Sequence, residues 1–148
     1  MSGALPLGLD RALLGSEFDS SISEPVSAEQ IREFAEAAGE TNPAYRGEIP
    51  IATPMFCIKF RGNRFFHPSI PHEALLRGFD AGKDMEFGAP IRAGDVIHMK
   101  NVLHEVYEKT GRSGSMVFLV SRQTMTNQNG ELVARIDSRF VLRPGKRK

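Results

Sequence analysis

The stretch "SAEQIREFAEAAGETNPAYRG", residues 27–47, contains the clearest helix signal of the chain and the loop that follows it. Ser27 and Gln30 have the spacing of a capping box, in which the serine side chain accepts a hydrogen bond from a free backbone N–H. Apolar residues then recur at the spacing of one helix face: Ile31, Phe34, Ala35 and Ala38. Gly39 favours the left-handed conformation that ends a helix. The stretch therefore predicts one amphipathic helix near residues 28–38.

The segments on either side of this helix carry weaker signals. Upstream, "SEFDSSISEPVS", residues 16–27, predicts a short strand that Pro25 confines to an edge or an end of a sheet. Downstream, residues 41–80 have no long periodic pattern and are interrupted by prolines, so a short helix is predicted only after Pro54. Such a long irregular connection inside a small domain is usually functional or mobile.

The second half of the chain predicts a meander of long antiparallel strands. Four segments have the alternation or β-branched content of strands: "GKDMEF", "DVIHMKNVLHEVYEK", "SMVFLVSRQTMT" and "ELVARIDSRFVLR". The run "MVFLV", residues 116–120, is apolar on both faces, which predicts a central strand or one covered by a partner. Because a single helix cannot cover such a sheet unless the sheet curls, the predicted fold class is α+β, a curled antiparallel sheet wrapped around one central helix.

Length and composition predict one soluble globular domain. The chain has 148 residues, of which 41% are hydrophobic and 25% are charged. We expect a single domain over residues 1–148, with a core of about 14–143, a flexible N-terminus and a basic C-terminal tail. A single cysteine, Cys57, favours a reducing cytoplasm. We expect no membrane span, since no apolar run approaches about 18 residues, and no nucleic-acid partner, since the net charge is only +1.

These elements, in this order, resemble the hotdog fold of the MaoC-like hydratases and dehydratases, and most closely their N-terminal-type, non-catalytic half-domains. The likeness spans residues 14–143 and is carried by "LLGSEF", by the helix and loop quoted above, by the turn in "EFGAPIRAGD" and by the terminal hairpins. The resemblance implies reversible addition of water to a 2-enoyl thioester, carried by coenzyme A or an acyl carrier protein. It also implies pairing of hotdog domains.

The loop "GETNPAYRG", residues 39–47, departs from the family at both catalytic positions. Active members carry Asp-x-Asn-Pro-(apolar)-His after the central helix. Here Asn42 and Pro43 match, but Glu40 stands at the aspartate position and Tyr45 at the histidine position. The resemblance therefore implies a partner subunit in a homo- or hetero-oligomer, in which another MaoC-like chain supplies the Asp and His. No residue of this chain is assigned a catalytic role.

Several residues are candidates for binding substrate, and each has a plainer alternative. Asn42 either touches substrate or bonds the local backbone, and Tyr45 either donates to a thioester carbonyl or packs as an aromatic side chain. In "KFRGNRFF", residues 59–66, Arg61 and Arg64 fit coenzyme A phosphates or an acidic carrier protein. The alternative is a loop that buries its aromatics and solvates its charges.

The interpretation that the resemblance favours is a subunit of an enoyl-thioester hydratase or (3R)-hydroxyacyl-thioester dehydratase, a hydro-lyase with a degenerate catalytic motif. One alternative is a hotdog thioesterase in which Glu40 activates water. The other is a non-catalytic acyl-thioester binding protein. A zinc site built from His67 and His72, with Cys57 and Glu73 nearby, matches no strong signature, so no metal and no cofactor is expected.

Overall fold

A computed structural model describes residues 4–143 of the chain, in which one antiparallel sheet has the strand order β1-β3-β4-β5-β2. The strands are β1 (Glu17–Ile22), β2 (Gly78–Phe87), β3 (His98–Gly111), β4 (Gly114–Thr126) and β5 (Leu132–Leu142). The α-helices of this part are α1 (Ala28–Ala37) and the short α2 (His72–Leu75). This arrangement confirms the predicted fold class. The basic tail predicted beyond residue 143 lies outside the described residues.

Both ends of α1 have the local contacts that the sequence predicts. The Ser27 side chain accepts a hydrogen bond from the Gln30 N–H, and the Ser27 N–H donates to the Gln30 side chain, both at 3.1 Å. At the other end, Gly39 has a φ of 72°. Ile31 is buried against the sheet. Ala38, predicted on the same stripe, is exposed because it follows the last residue of the helix.

The sheet curls around α1, so that four strands share one apolar cluster with the helix. Ile31 lies in this cluster with Met85 of β2, Met99 of β3, Met125 of β4 and Ile136 of β5. We call this side of the sheet the inner face. The position of the helix on the inner face confirms the predicted wrapped arrangement.

A second apolar cluster covers the other end of the inner face. Its sheet residues include Leu103, Leu119 and Leu142, and its cover comes from α2 and from the N-terminal segment. Leu5 and Leu9 in that segment are only 6% and 5% exposed. The packed core therefore extends to residues before position 14, because these leucines cover inner-face residues that α1 does not reach.

The run 116–120 lies in β4, the middle strand of the five, as predicted. On the opposite, outer face, Phe118 stacks on Tyr107 of β3 with ring centroids 4.9 Å apart. The remainder of the outer face carries cross-strand ion pairs: Arg122 with Asp137 (2.8 Å), Arg135 with Glu86, and Arg139 with Asp84. Arg135, Asp137 and Arg139 occupy alternate positions of β5, so their side chains share this face.

The connection from α1 to β2 lies over the inner face as a series of short turns. The helix predicted after Pro54 is present as a 3-10 helix, Pro54–Lys59, which buries Phe56 and Cys57. Phe56 contacts Phe34 of α1 edge-on, with centroids 5.5 Å apart. Among the described helices, none is long and apolar enough to cross a membrane.

Candidate functional site

The polar side chains of the loop after α1 bind the backbone of the loop itself. One carboxylate oxygen of Glu40 accepts hydrogen bonds from the N–H groups of Thr41 and Asn42, each at 3.0 Å. The side-chain oxygen of Asn42 accepts a bond from the Ala44 N–H, also at 3.0 Å, and caps the 3-10 turn Pro43–Tyr45. The Glu40 carboxylate is thus turned towards its own loop.

Tyr45, half-buried, lines a small cavity of about 190 Å³. The cavity lies between the Pro54–Lys59 helix and the end of β2, where Phe87 is 45% exposed. Thr53 also contributes to its wall, and the Thr53 hydroxyl is buried without a hydrogen-bond partner among residues 4–143. Cys57 is buried beside it, and burial raises the pKa of its thiol. The protonated thiol therefore acts here as a small apolar group.

A larger cavity, of about 410 Å³, lies between the segment 58–66 and the inner face. Its walls are largely apolar and include Phe65, Phe66 and Phe140. Its floor is polar, because four inner-face residues at the middle of the sheet are not apolar: Asn101, Ser121, Gln123 and Ser138. The volume falls in the range of about 300–1,000 Å³ typical of small-molecule sites.

Two of these polar residues hold the segment over the sheet. Gln123 Nε2 donates to the Phe60 carbonyl at 2.8 Å, and Asn101 Nδ2 donates to the Arg64 carbonyl at 3.3 Å. The Arg64 N–H in turn donates to a carboxylate oxygen of Asp19 on β1 at 3.1 Å. Side chains of three adjacent strands therefore fix the backbone that roofs the cavity.

Gly62 allows this roof to lie close to the sheet. A Cβ at this position would stand 1.9 Å from Asp19 Oδ2 and 2.6 Å from Met99 Cε. No real Cβ makes contacts this short, so a side chain at position 62 would force either the roof or Asp19 to move.

Three cationic residues line the large cavity: Arg61, Lys83 and Arg139. Arg61 lines it, and in the described part of the chain no carboxylate pairs with Arg61. Lys83 is paired with Asp80 at 2.6 Å. Arg64 is exposed, does not line the cavity, and likewise makes no ion pair within residues 4–143. The two arginines therefore differ in position although both have guanidinium groups available to an anion.

The predicted binding residues do not converge on one point. Tyr45 lines the small cavity and Arg61 the large one, whereas Asn42 and Arg64 line neither. The polar floor of the large cavity was missed from the sequence. Its signal is the "SRQ" at residues 121–123, which places two polar side chains at inward positions between Leu119 and Met125.

The histidines considered as metal ligands lie elsewhere. His67 Nδ1 accepts a hydrogen bond from the Ser69 N–H at 3.0 Å, and its ring meets Phe18 edge-on at 5.7 Å. Burial lowers the pKa of His67, which favours the neutral ring that this bond requires. His72 begins α2. Across residues 4–143, no three His, Cys, Asp or Glu side chains form a group that could hold a metal ion.

Comparison with known proteins shows the family of the chain. Residues 12–136 match the family model described as FAS1-like, dehydratase domain region. A UPF0336 protein of Saccharopolyspora erythraea is 31% identical in an alignment 150 residues long, which covers 91% of this chain and 92% of that protein.

Two solved structures have the same fold. The MaoC-like dehydratase from Rhodospirillum rubrum superposes with a TM-score of 0.66 at 21% identity, covering 96% of this chain and 99% of that one. The HadBC (3R-hydroxyacyl-ACP dehydratase) complex from Mycobacterium tuberculosis contains a chain with a TM-score of 0.63 at 24% identity, covering 86% of this chain and 99% of that one. At these identities the likeness concerns the fold, and it confirms the MaoC-like hotdog fold expected from the sequence.

Proposed function

Because the chain belongs to the family described as FAS1-like, dehydratase domain region, we propose that it is a subunit of an enoyl-thioester hydratase or (3R)-hydroxyacyl-thioester dehydratase. In this proposal the chain shapes the pocket for the acyl group of a coenzyme A or carrier-protein thioester. A partner MaoC-like chain supplies the catalytic aspartate and histidine.

The observation that carries the proposal is that the loop after α1 has Glu40 and Tyr45 where active members have aspartate and histidine, and that Glu40 binds its own loop. Hydration of a 2-enoyl thioester needs a base to take a proton from the attacking water and an acid to protonate Cα. A neutral phenol donates a hydrogen bond but is a much weaker proton acceptor than an imidazole, so Tyr45 does not replace a histidine. The Glu40 carboxylate binds two N–H groups of its own loop and lines neither cavity. The same contacts disfavour the thioesterase alternative, which needs Glu40 to hold a water beside a substrate.

The binding side of the proposal is supported by the large cavity. Its aromatic walls suit an acyl chain, and Arg61 at its mouth presents a forked guanidinium group suited to phosphate. Arg64 provides a second cation three residues later in the chain. In the small cavity, Tyr45 can donate a hydrogen bond to a carbonyl oxygen even though it cannot act as a base. Asn42 supports this tyrosine by capping the turn that carries it.

The edge strand β2 supports the partner part of the proposal. Among the described strands, β2 pairs only with β5, so its second edge has free backbone groups. Phe79 and Phe87 on this strand are 49% and 45% exposed. An open edge with exposed aromatic side chains is a surface on which another chain can pair or pack. The HadBC dehydratase from Mycobacterium tuberculosis described above is itself a complex.

The test compares the purified chain alone with the chain co-expressed with a homologue that carries the intact Asp-x-Asn-Pro-x-His motif. Loss of the enoyl absorbance of crotonyl-CoA or a longer enoyl-CoA measures hydration. We expect the chain alone to be at least about 100-fold slower than the pair, because general acid–base catalysis contributes about 10²–10⁴-fold. The matched control is the pair in which the partner's motif aspartate is changed to asparagine, which should be as slow as the chain alone.

Three results would contradict the proposal. Full activity of the single chain that Glu40→Gln abolishes would make Glu40 catalytic. Release of free thiol from saturated acyl-CoA would identify a thioesterase. Tight binding of acyl-CoA with no turnover in any pairing would instead identify a binding protein.

A further inference from the structure

The inner face of the sheet is divided into two apolar ends by a polar band, defined by Asn101, Ser121, Gln123 and Ser138. Each long strand shows the same division. On β4, Val117 and Leu119 belong to the second apolar cluster and Met125 to the first, with Ser121 and Gln123 between them. The other strands repeat this order: Met99, Asn101 and Leu103 on β3, and Ile136, Ser138 and Phe140 on β5.

The two amides of the band have structural partners, whereas the two hydroxyls do not. Gln123 and Asn101 hold the roof segment, as described above. Within residues 4–143, neither the Ser121 nor the Ser138 side chain makes a hydrogen bond. Both serines are half-buried and line the 410 Å³ cavity, so their hydroxyls can be reached from it. The contacts of the fold therefore account for the amides but leave the serines unexplained.

The two serines form a pair. Ser121 of β4 lies directly opposite Ser138 of β5 in the sheet register, which places their Cβ atoms about 4.5–5.5 Å apart. Each hydroxyl can donate one hydrogen bond and accept two. The pair is therefore close enough for both hydroxyls to bind a single oxygen atom that enters the cavity.

The choice of serine also keeps the cavity open. Valine or leucine at these positions would continue the apolar pattern of both strands, fill the space and join the two clusters, which stabilises a fold. The chain instead combines an open cavity with two unpaired hydroxyls under aromatic walls. A purely hydrocarbon ligand would cover both hydroxyls, and even a hydrogen bond between them would leave one O–H donor without an acceptor, which is unfavourable.

We propose that the large cavity binds acyl chains that carry an oxygen function, a hydroxyl or keto group, beyond the carbon that takes up water, and that Ser121 and Ser138 are the residues that select it. Phe65, Phe66 and Phe140 enclose the methylene groups, while the serine pair binds the oxygen. The inference rests on the proposed function only in taking the ligand as an acyl thioester, since the serine pair acts on the chain and not on its carrier.

The experiment measures binding to the purified chain by titration calorimetry. The probes are dodecanoyl-CoA, a series of hydroxydodecanoyl-CoAs with the hydroxyl moved stepwise from carbon 6 to carbon 12, and the corresponding free acids. We expect at least one positional isomer to bind about 10-fold more tightly than the unsubstituted chain, which corresponds to one well-formed hydrogen bond to a buried group.

The Ser121→Ala, Ser138→Ala double variant isolates the pair. We expect its preference for the hydroxylated isomer to fall to within about twofold, with binding of dodecanoyl-CoA unchanged or tighter, since the hydroxyls no longer oppose the hydrocarbon. Ser20→Ala, at an exposed position of β1, is the matched control and should keep the parent preference. Melting temperatures report whether the variants fold, and the comparison of probes on the parent chain needs no variant.

Each outcome decides the inference. It is overturned if no hydroxylated chain binds more tightly than the unsubstituted one, if the preference survives the double replacement, or if no probe binds at all. Coenzyme A thioesters that bind without any preference would leave the proposed function standing and remove this inference alone. Free acids that show the preference while thioesters fail to bind would support the inference and contradict the proposed function.

Discussion

Replacing Gly62 with alanine tests whether the roof of the large cavity must lie as close to the sheet as the structure places it. The new Cβ would stand 1.9 Å from Asp19 Oδ2, 2.6 Å from Met99 Cε and 3.0 Å from Asn101 Nδ2. All three are side-chain atoms, so the backbone of the sheet need not move. Asp19, however, accepts bonds from the Arg64 N–H and from Asn101, and it cannot rotate away without losing them.

The expected loss of stability follows from these contacts. Two hydrogen bonds at about 0.5–1.5 kcal/mol each give a cost of about 1–3 kcal/mol. Reduced freedom of the unfolded chain returns about 0.4–1 kcal/mol when glycine becomes alanine. With the middle of each range, the net free energy of unfolding should fall by about 1.3 kcal/mol, which lowers the melting temperature of a domain of this size by about 3–5 °C. Binding of acyl-CoA should weaken as well, because the displaced segment carries Arg61.

The assay is thermal and urea unfolding, combined with a double-mutant cycle. In an Asp19→Ala background the shortest contact is gone, so Gly62→Ala should lower the free energy of unfolding by less than half of the amount by which it lowers that of the parent. Gly111→Ala is the matched control, since a Cβ there meets nothing within 4 Å, and it should not lower the melting temperature. A Gly62→Ala variant that melts and binds like the parent, or strict additivity with Asp19→Ala, would refute the argument.

Three further predictions concern charge and assembly. The Arg61→Ala, Arg64→Ala double variant should bind acyl-CoA more weakly at low salt and lose most of the salt dependence of binding, whereas Arg112→Ala, in an exposed turn, should bind like the parent. Equal affinity of the double variant and the parent in calorimetry at low salt would remove the phosphate role. The Arg122 guanidinium holds the pKa of the Asp137 carboxyl below its ordinary value, so the stability from this pair is present above about pH 4 and is lost as pH falls through the lowered pKa. Asp137→Asn should reduce the loss of unfolding free energy, measured with urea, between pH 4 and lower pH, and an unchanged loss would contradict this. The chain should form a dimer or a higher even-numbered oligomer through its open edges, and light scattering that finds only monomer at micromolar concentration would count against this.

The elements that the sequence predicts well are those with local causes. The capping box at Ser27 and the stop at Gly39 set the ends of α1 through contacts that span only a few residues. The strands follow from alternation, and the doubly apolar run 116–120 requires the middle position that β4 occupies. Each of these signals is complete within a short window, so no knowledge of the remaining chain is needed.

The elements that the sequence misses depend on contacts between distant segments. Leu5 and Leu9 look like part of a flexible terminus until the uncovered end of the inner face is known. Gly62 looks like an ordinary loop glycine, because Asp19 and Met99, the residues that leave no room for a Cβ, lie 43 and 37 positions away in the sequence. The alternation of β4 shows that Ser121 points inward, but only the sheet register shows that it faces another serine.

The loop after α1 shows how the Asn-Pro turn of the family can form without the aspartate and the histidine that flank it in active members. Pro43 begins a 3-10 turn, the Asn42 side chain caps it, and Glu40 binds the two N–H groups that precede it. These contacts need a side-chain oxygen at position 42 and a carboxylate at position 40, but they need no histidine at position 45. The turn therefore forms with a tyrosine at position 45. An Asn-Pro match after the central helix identifies the turn, and activity must be judged from the residues that the turn presents.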